Sequence, residues 1–164
     1  MKKSFAVVGL GRFGTNVALT LMESGAQVLA IDSNPECVKR ISSQVTCAVT
    51  INVCETESLK EAGLENMDGV VVAMGDNLEA SAMTIITAKE LGVPYILAKS
   101  NNDEAAKILS KIGADKVIYP EKDAGINVAK KLSIRALSKQ CPVPLKLWII
   151  PCLFSSSLYA SLVY

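Results

Sequence analysis

Histidine is missing altogether from this 164-residue sequence. The commonest general base and the commonest metal ligand are therefore unavailable. Aromatic residues make up only 5%, which argues against a platform for stacking single-stranded bases. Neither sign of charge dominates. Seventeen Lys and Arg stand against 16 Asp and Glu, a formal net charge of +1, so no electrostatic pull toward nucleic acid arises. The five cysteines, Cys37, Cys47, Cys54, Cys141 and Cys152, are odd in number, scattered and never in C-x-x-C spacing. That argues against a disulfide framework or a zinc site and leads us to expect buried free thiols in a reducing compartment. Long apolar runs are scarce as well. The first one stops at Gly9, with Arg12 close behind, too short for the core of a secretory signal. A cytoplasmic protein is expected.

What is present is an alternation. Short apolar runs at 5–8, 28–31, 46–50, 69–74, 95–98 and 116–119 read as strands. Helical patterns at 13–24, 35–41, 55–62, 77–91, 103–111 and 123–138 lie between and after them. Strands that are apolar on both faces belong to a parallel sheet covered by helices. The expected fold is α/β: a Rossmann-type doubly wound parallel sheet in three αβα layers, strand order 3-2-1-4-5-6, with a C-terminal crossover helix. No solenoid repeat is present. The domain is expected over 1–140. From Cys141 the character changes: Cys-Pro-Val-Pro breaks the helix, and 145–153 is almost wholly apolar, interrupted by Lys146 and Pro151. A membrane helix needs about 20 unbroken apolar residues. We therefore expect 141–164 to be an atypical apolar tail that docks or faces a partner, with no complete second domain.

Gly9-Leu10-Gly11-Arg12-Phe13-Gly14 follows the first strand and opens the first helix. A bare G-x-G-x-x-G says little, but this placement gives it weight. The first glycine permits the tight turn, the second lets backbone approach a pyrophosphate, and the third lets helix and strand pack closely. The helix start adds unpaired N–H groups and the positive end of a dipole. Asp32, about twenty residues on, can accept from ribose hydroxyls and would repel a 2′-phosphate. Its other reading is a cap for the helix at 35–41, a duty open equally to Ser33 or Asn34. Arg12 can pair with a terminal phosphate, which a dinucleotide lacks, and this brings ADP or ATP in beside NAD. A solvated arginine at the helix start is the competing reading, although the helix dipole disfavours it. Tyr95 and Lys99 have the four-residue spacing of a dehydrogenase Tyr-Lys pair. On a strand they stand about 13 Å apart, too far to act together.

Taken together, these stretches resemble the N-terminal domain of the RCK, or KTN, family of cytosolic regulatory subunits of Ktr and Trk potassium-uptake systems. The resemblance covers about residues 3–137. It rests on the glycine loop, Ala30-Ile31-Asp32, Val72-Ala73-Met74-Gly75-Asp76-Asn77, Lys89-Glu90-Leu91-Gly92, and above all Ile112-Gly113-Ala114-Asp115 followed by Pro120-Glu121-Lys122-Asp123. It implies that Gly9, Gly11, Arg12, Phe13 and Gly14 hold phosphates, Arg12 reaching the terminal phosphate of a nucleotide in a neighbouring subunit. It implies that Asp32 and Asn34 hold the ribose, and that Asn52 and Val53 lie at the adenine edge. Many relatives carry Gly-Asp-Ala there, and this chain has Ile51-Asn52-Val53. Ala73, Met74, Gly75 and Lys99 would line the far side of the cleft. Glu121 would help hold a divalent cation, Mg or Ca, at the subunit interface, though a lone carboxylate cannot build such a site. A solvated acid at a helix start is the plainer reading of Glu121.

The resemblance also implies a function. The cofactor would be ATP/ADP or NAD(H), and the partner a membrane potassium channel or transporter subunit. Homodimers would stack into an octameric ring at the inner face of the plasma membrane, with no nucleic acid involved. Apolar residues exceed one helical face at Ile126, Val128, Ala129, Leu132, Ile134, Ala136 and Leu137, which suits packing between subunits. Full-length relatives continue into a second regulatory domain, so a site for a cyclic dinucleotide is not expected in this chain. The expected protein is not an enzyme. The alternative is the nucleotide-binding part of an NAD-dependent oxidoreductase. It would need a substrate site and an acid or base, for which the nucleotide fold leaves no residues.

Overall fold

A computed structural model describes residues 2–138. The expectations for the tail from Cys141, and the boundary expected at 140, lie outside the described residues. The chain divides into two units after Asp123, and the sheet lies wholly within the first.

Among the described residues six strands alternate with six α-helices, in the order β1 (Ser4–Val8), α1 (Arg12–Glu23), β2 (Gln27–Asp32), α2 (Pro35–Ile41), β3 (Cys47–Thr50), α3 (Thr56–Glu61), β4 (Gly69–Val72), α4 (Leu78–Glu90), β5 (Ile96–Lys99), α5 (Asp103–Ile112), β6 (Lys116–Ile118) and α6 (Pro120–Ser138). All pairings are parallel, and the order across the sheet is β3-β2-β1-β4-β5-β6, as the sequence predicts. Winding reverses between β1 and β4, where Val8 is level with both Ile31 and Val72. The carboxyl ends of β1, β2 and β4 thus open on one edge, and chain direction leaves a crevice there.

Alternation along β1 sends its residues to opposite faces. Val7 joins Leu10, Ala18, Val28, Ala30, Val38 and Ile41 under α1 and α2. Ala6 and Val8 join Leu29, Ile31, Leu59, Leu64, Val70, Val72, Ile85 and Ile96 on the other side. Each buried Val, Leu or Ile contributes roughly 1.5–3 kcal/mol from burial, set against chain entropy.

Two boundaries differ from expectation for a physical reason. β4 ends at Val72 rather than 74, because Ala73 and Met74 leave the sheet to line the crevice. α6 starts at Pro120 rather than 123. Proline suits a first helical turn, where its missing N–H would have no partner anyway. The expectation of buried thiols is corrected: Cys47 and Cys54 are exposed and Cys37 is half-buried. β3 stands at the edge of the sheet, and among the described residues no further strand pairs with its outer margin. Cys141 and Cys152 lie outside the described residues.

Asp115 fastens β5 to the turn before β6. Its N–H donates to the Ile96 carbonyl at 2.9 Å, and its carboxylate accepts from the Ile96 N–H at 2.7 Å and from Lys89 at 3.2 Å. The Ile96 N–H foremost holds the carboxyl below its ordinary range; desolvation, the next effect in size, opposes it, and Lys89 helps to lower it. Asp115→Ala should cost about 1 kcal/mol, a charge-assisted hydrogen bond discounted for partial exposure. Because the folded form prefers the carboxylate, this contribution is complete above the ordinary carboxylate value of about 3.9 and fades as pH falls through the lower folded value. Urea titrations at pH 7 and pH 3 check it: the gap between variant and wild type should be open at the first and narrowed at the second.

Candidate nucleotide-binding cleft

The crevice is a cleft of about 380 Å³. Its lining brings together Gly9, Gly11, Arg12, Phe13, Asp32, Ala73, Met74, Gly75, Lys99 and Glu121, with Asp76 and Asn77 added. Lys99 and Glu121, 22 residues apart, meet here; Gly14, Asn34, Asn52 and Val53 are not in the lining.

The glycine loop is held from beneath. Gly9 has φ +96°, a backbone shape that side chains rarely adopt, and an added Cβ would lie 2.7 Å from Met74 Cγ. Its N–H donates to the Ile31 carbonyl at 2.8 Å. Gly14 is buried beneath Gly9. Asp32 grips the loop directly: Oδ2 accepts from the Leu10 N–H at 2.6 Å, and Oδ1 accepts from the Asn34 N–H at 2.8 Å. The expectation of a carboxylate held wholly for ribose is thereby refined. Each oxygen keeps a further lone pair for a ligand, but the first duty of Asp32 is to hold backbone.

Three helix starts carry a side-chain cap, whereas α1 and α3 carry none, and of those two only α1 contributes to the lining of the cleft. Asn34, Asn77 and Asn102 each place a side-chain oxygen on the N–H two or three residues on, at 2.9, 2.9 and 2.7 Å. α1 begins after Gly11 with no side-chain cap. Its first-turn N–H groups cannot be satisfied within the helix, and they face the cleft beside Gly11, whose added Cβ would meet nothing within 4 Å. Backbone donors, a helix dipole and two cations, Arg12 and Lys99, thus surround one space, which fits a phosphate chain.

Three expected ligand contacts are placed elsewhere. Asn34 spends its side-chain oxygen on the cap of α2. Asn52 Oδ1 accepts from the Cys54 N–H at 3.3 Å while Nδ2 donates to Glu55 at 3.0 Å, so its side chain shapes the turn into α3. Val53 is 5% exposed and its side chain belongs to the core cluster that holds Leu59 and Leu64, which leaves only its backbone for an adenine edge.

At the far end, Lys99 Nζ lies 2.7 Å from Glu121 Oε1. The lysine hydrogen bond foremost, then Glu121's own backbone N–H and the more distant charge of Arg12, hold the Glu121 carboxyl below its ordinary range. Among the described residues no group of three or more Cys, Asp or Glu could hold a metal ion. Beyond the ion pair lies a second hollow of about 460 Å³, which shares Asp76, Lys99 and Glu121 with the cleft and adds Asn101 and Tyr119. Asn101 donates to Asp76 across the mouth. Asp76 stands in one of the stretches that carry the resemblance, although no role is expected of it, and Asn101 has no sequence signature of a site beyond following the end of β5. Tyr95 lies before β5 and Lys99 at its far end, so the two do not form a pair.

The family model for the TrkA-N domain matches residues 5–120. Ktr system potassium uptake protein A of Bacillus subtilis is 45% identical over 131 residues, covering 80% of this chain and 59% of that protein. Its namesake in Vibrio alginolyticus is 44% identical over 130 residues, 79% of this chain and 59% of that protein. The chain thus spans about three-fifths of the length of these curated relatives. Among solved structures, the TrkA-N domain of the inner membrane protein ybaL from Escherichia coli aligns with TM-score 0.71 at 20% identity, over 80% of this chain and 98% of that one. The Shewanella denitrificans Kef C-terminal domain in AMP-bound form aligns at 0.65 and 21% identity, over 83% and 80%. GsuK bound to ADP aligns at 0.63 and 12%, over 73% and 31%. These likenesses show the fold.

Proposed function

The chain belongs to the TrkA-N domain family, and from that premise we propose that it is the nucleotide-sensing regulatory part of a potassium-uptake system rather than an enzyme. The observation that carries the reading is the uncapped start of α1, set behind a bare glycine loop and facing a cleft with two cations. The ligand is an adenine nucleotide, ATP/ADP or NAD(H). Its phosphates lie over Gly11 and the first turn of α1, and its ribose lies toward Asp32. Glu121 would meet a divalent cation beside the phosphates, with further ligands from outside this chain. The AMP and ADP of the structural neighbours support the ligand class.

In this reading the protein works in the cytoplasm, against the inner face of the membrane. Copies pair, with α6 crossing between them, and stack into a ring of eight that acts on a membrane potassium channel or transporter. A ligand can change the shape of such a ring only by binding two shapes with different affinity. Arg12 supplies the difference by reaching a terminal phosphate on the neighbouring copy in one shape only.

The test is calorimetric titration of ATP and ADP into wild type and Arg12→Ala. Wild type should prefer ATP, and the variant should lose about tenfold in ATP affinity and with it the preference, the scale of one charge-assisted contact. A variant that keeps the preference would refute the switch. Incubation with NAD and a panel of alcohols should give no change in absorbance at 340 nm; turnover there would favour an oxidoreductase.

A further inference from the structure

We propose that Lys99 reads the charge of the ligand by changing partners: its ammonium keeps Glu121 when the phosphates are diesters and, without itself moving away, gives up Glu121 for a terminal phosphate monoester. The inference rests on the nucleotide-binding reading above and names how one cleft separates two nucleotide classes.

Three observations carry it. Lys99 and Glu121 are in contact at 2.7 Å, and both line the phosphate cleft as well as the hollow beyond it. Their exposures are unequal, 12% for the lysine side chain and 68% for the glutamate. The lysine is walled in and cannot retreat into water, whereas the glutamate can. If the pair opens, Glu121 is the member that leaves. Thirdly, the lysine stem runs against bare backbone at Gly75, where an added Cβ would lie 3.0 Å from Lys99 Cε and 2.7 Å from Asn101 Oδ1. Packing therefore keeps the ammonium at the mouth whichever anion it serves.

Charge then decides the partner. Attraction at a given distance scales with charge. Glu121 offers one negative charge, and each phosphate of a dinucleotide diester also offers one, so the diester gains nothing by taking the lysine. A terminal phosphate carries about −1.5 to −2 near pH 7 and wins the exchange. The consequence is local. The tie between the end of β5 and the first turn of α6 is present with a diester and released with a monoester.

The experiment uses the full chain in EDTA, which removes any divalent cation from the comparison. ADP and NAD are titrated into wild type, Glu121→Gln, Lys99→Gln and the double variant, with Glu121→Asp and Lys99→Arg as charge-keeping controls. Removing the competitor should tighten ADP binding about three- to fivefold, the range of a partly exposed ion pair, and NAD binding by less, since a freed ammonium gains less from a singly charged diester than from a terminal phosphate. The gain should vanish in the Lys99→Gln background, and both controls should retain the preference for ADP over NAD. A gain equal for both nucleotides, or one that survives without Lys99, would mean that Glu121 only adds negative charge, and the inference falls. Wild type that binds both nucleotides while Glu121→Gln changes neither overturns this inference alone. Wild type that binds neither removes the nucleotide reading together with it.

Discussion

Gly14→Ala should lower the stability of this protein by about 3 kcal/mol, and its melting temperature by about 10 °C. Gly14 lies in the first turn of α1, directly under Gly9. A Cβ there would fall far inside van der Waals contact distance of the Gly9 carbonyl oxygen and 3.1 Å from Ala73 Cβ. Both obstacles are close to backbone, and the loop has nowhere to move. Gly9 is held by its hydrogen bond to Ile31, and Leu10 is held by the Asp32 carboxylate. Alanine's advantage over glycine inside a helix, about 1 kcal/mol, offsets only part of the clash. Thermal melts of wild type and variant decide the matter. A variant melting within about 2 °C of wild type would mean that helix and loop do not approach as closely as drawn.

Gly11→Ala should do the opposite: leave the fold alone and abolish tight nucleotide binding. Gly11 has φ −67° and ψ −173°, an extended shape that any residue adopts, and its added Cβ meets nothing within 4 Å. Stability should therefore change by less than about 0.5 kcal/mol. The methyl, however, projects into the space where a pyrophosphate must approach backbone N–H groups. Losing about 2 kcal/mol of charge-assisted hydrogen bonding corresponds to roughly thirtyfold weaker binding. Titration of ADP into the variant measures it. An affinity within about threefold of wild type would place the phosphates away from Gly11. The two glycines, three residues apart, thus separate folding from binding.

Much of this was legible before any coordinates. A glycine loop of this kind is local: three glycines, a preceding strand and a following helix are read from one short stretch, and the structure sets Gly9 and Gly11 in the lining of the cleft with Gly14 buried beneath Gly9. The strand order was legible too, because each nearly all-apolar run requires cover on both faces and right-handed crossovers leave few topologies. Side-chain destinations were not. Asn34 satisfies the same sequence pattern as a ribose ligand or as a helix cap, and the structure gives its oxygen to the cap. Asn52 and Val53 are adjacent, yet one shapes a turn while the other is buried, since neighbours in an irregular segment follow no fixed period. The cysteines read as buried because the thiol is mildly apolar. Whether Cys47 is covered depends on its strand standing at the sheet edge.

Sequence pattern by itself determined the class of fold, the order of its strands and the position of the glycine loop between β1 and α1, since apolar runs, turn residues and helix starts are each encoded locally. Only the tertiary structure decided that Asp32 reaches back to Leu10 and that Lys99 closes on Glu121. Those meetings join residues 22 positions apart in each case. They exist because parallel register brings the ends of β1 and β2, and of β5 and β6, level at one edge of the sheet. A linear pattern of apolar and polar residues specifies which face a side chain takes, but not which distant side chain it finds there.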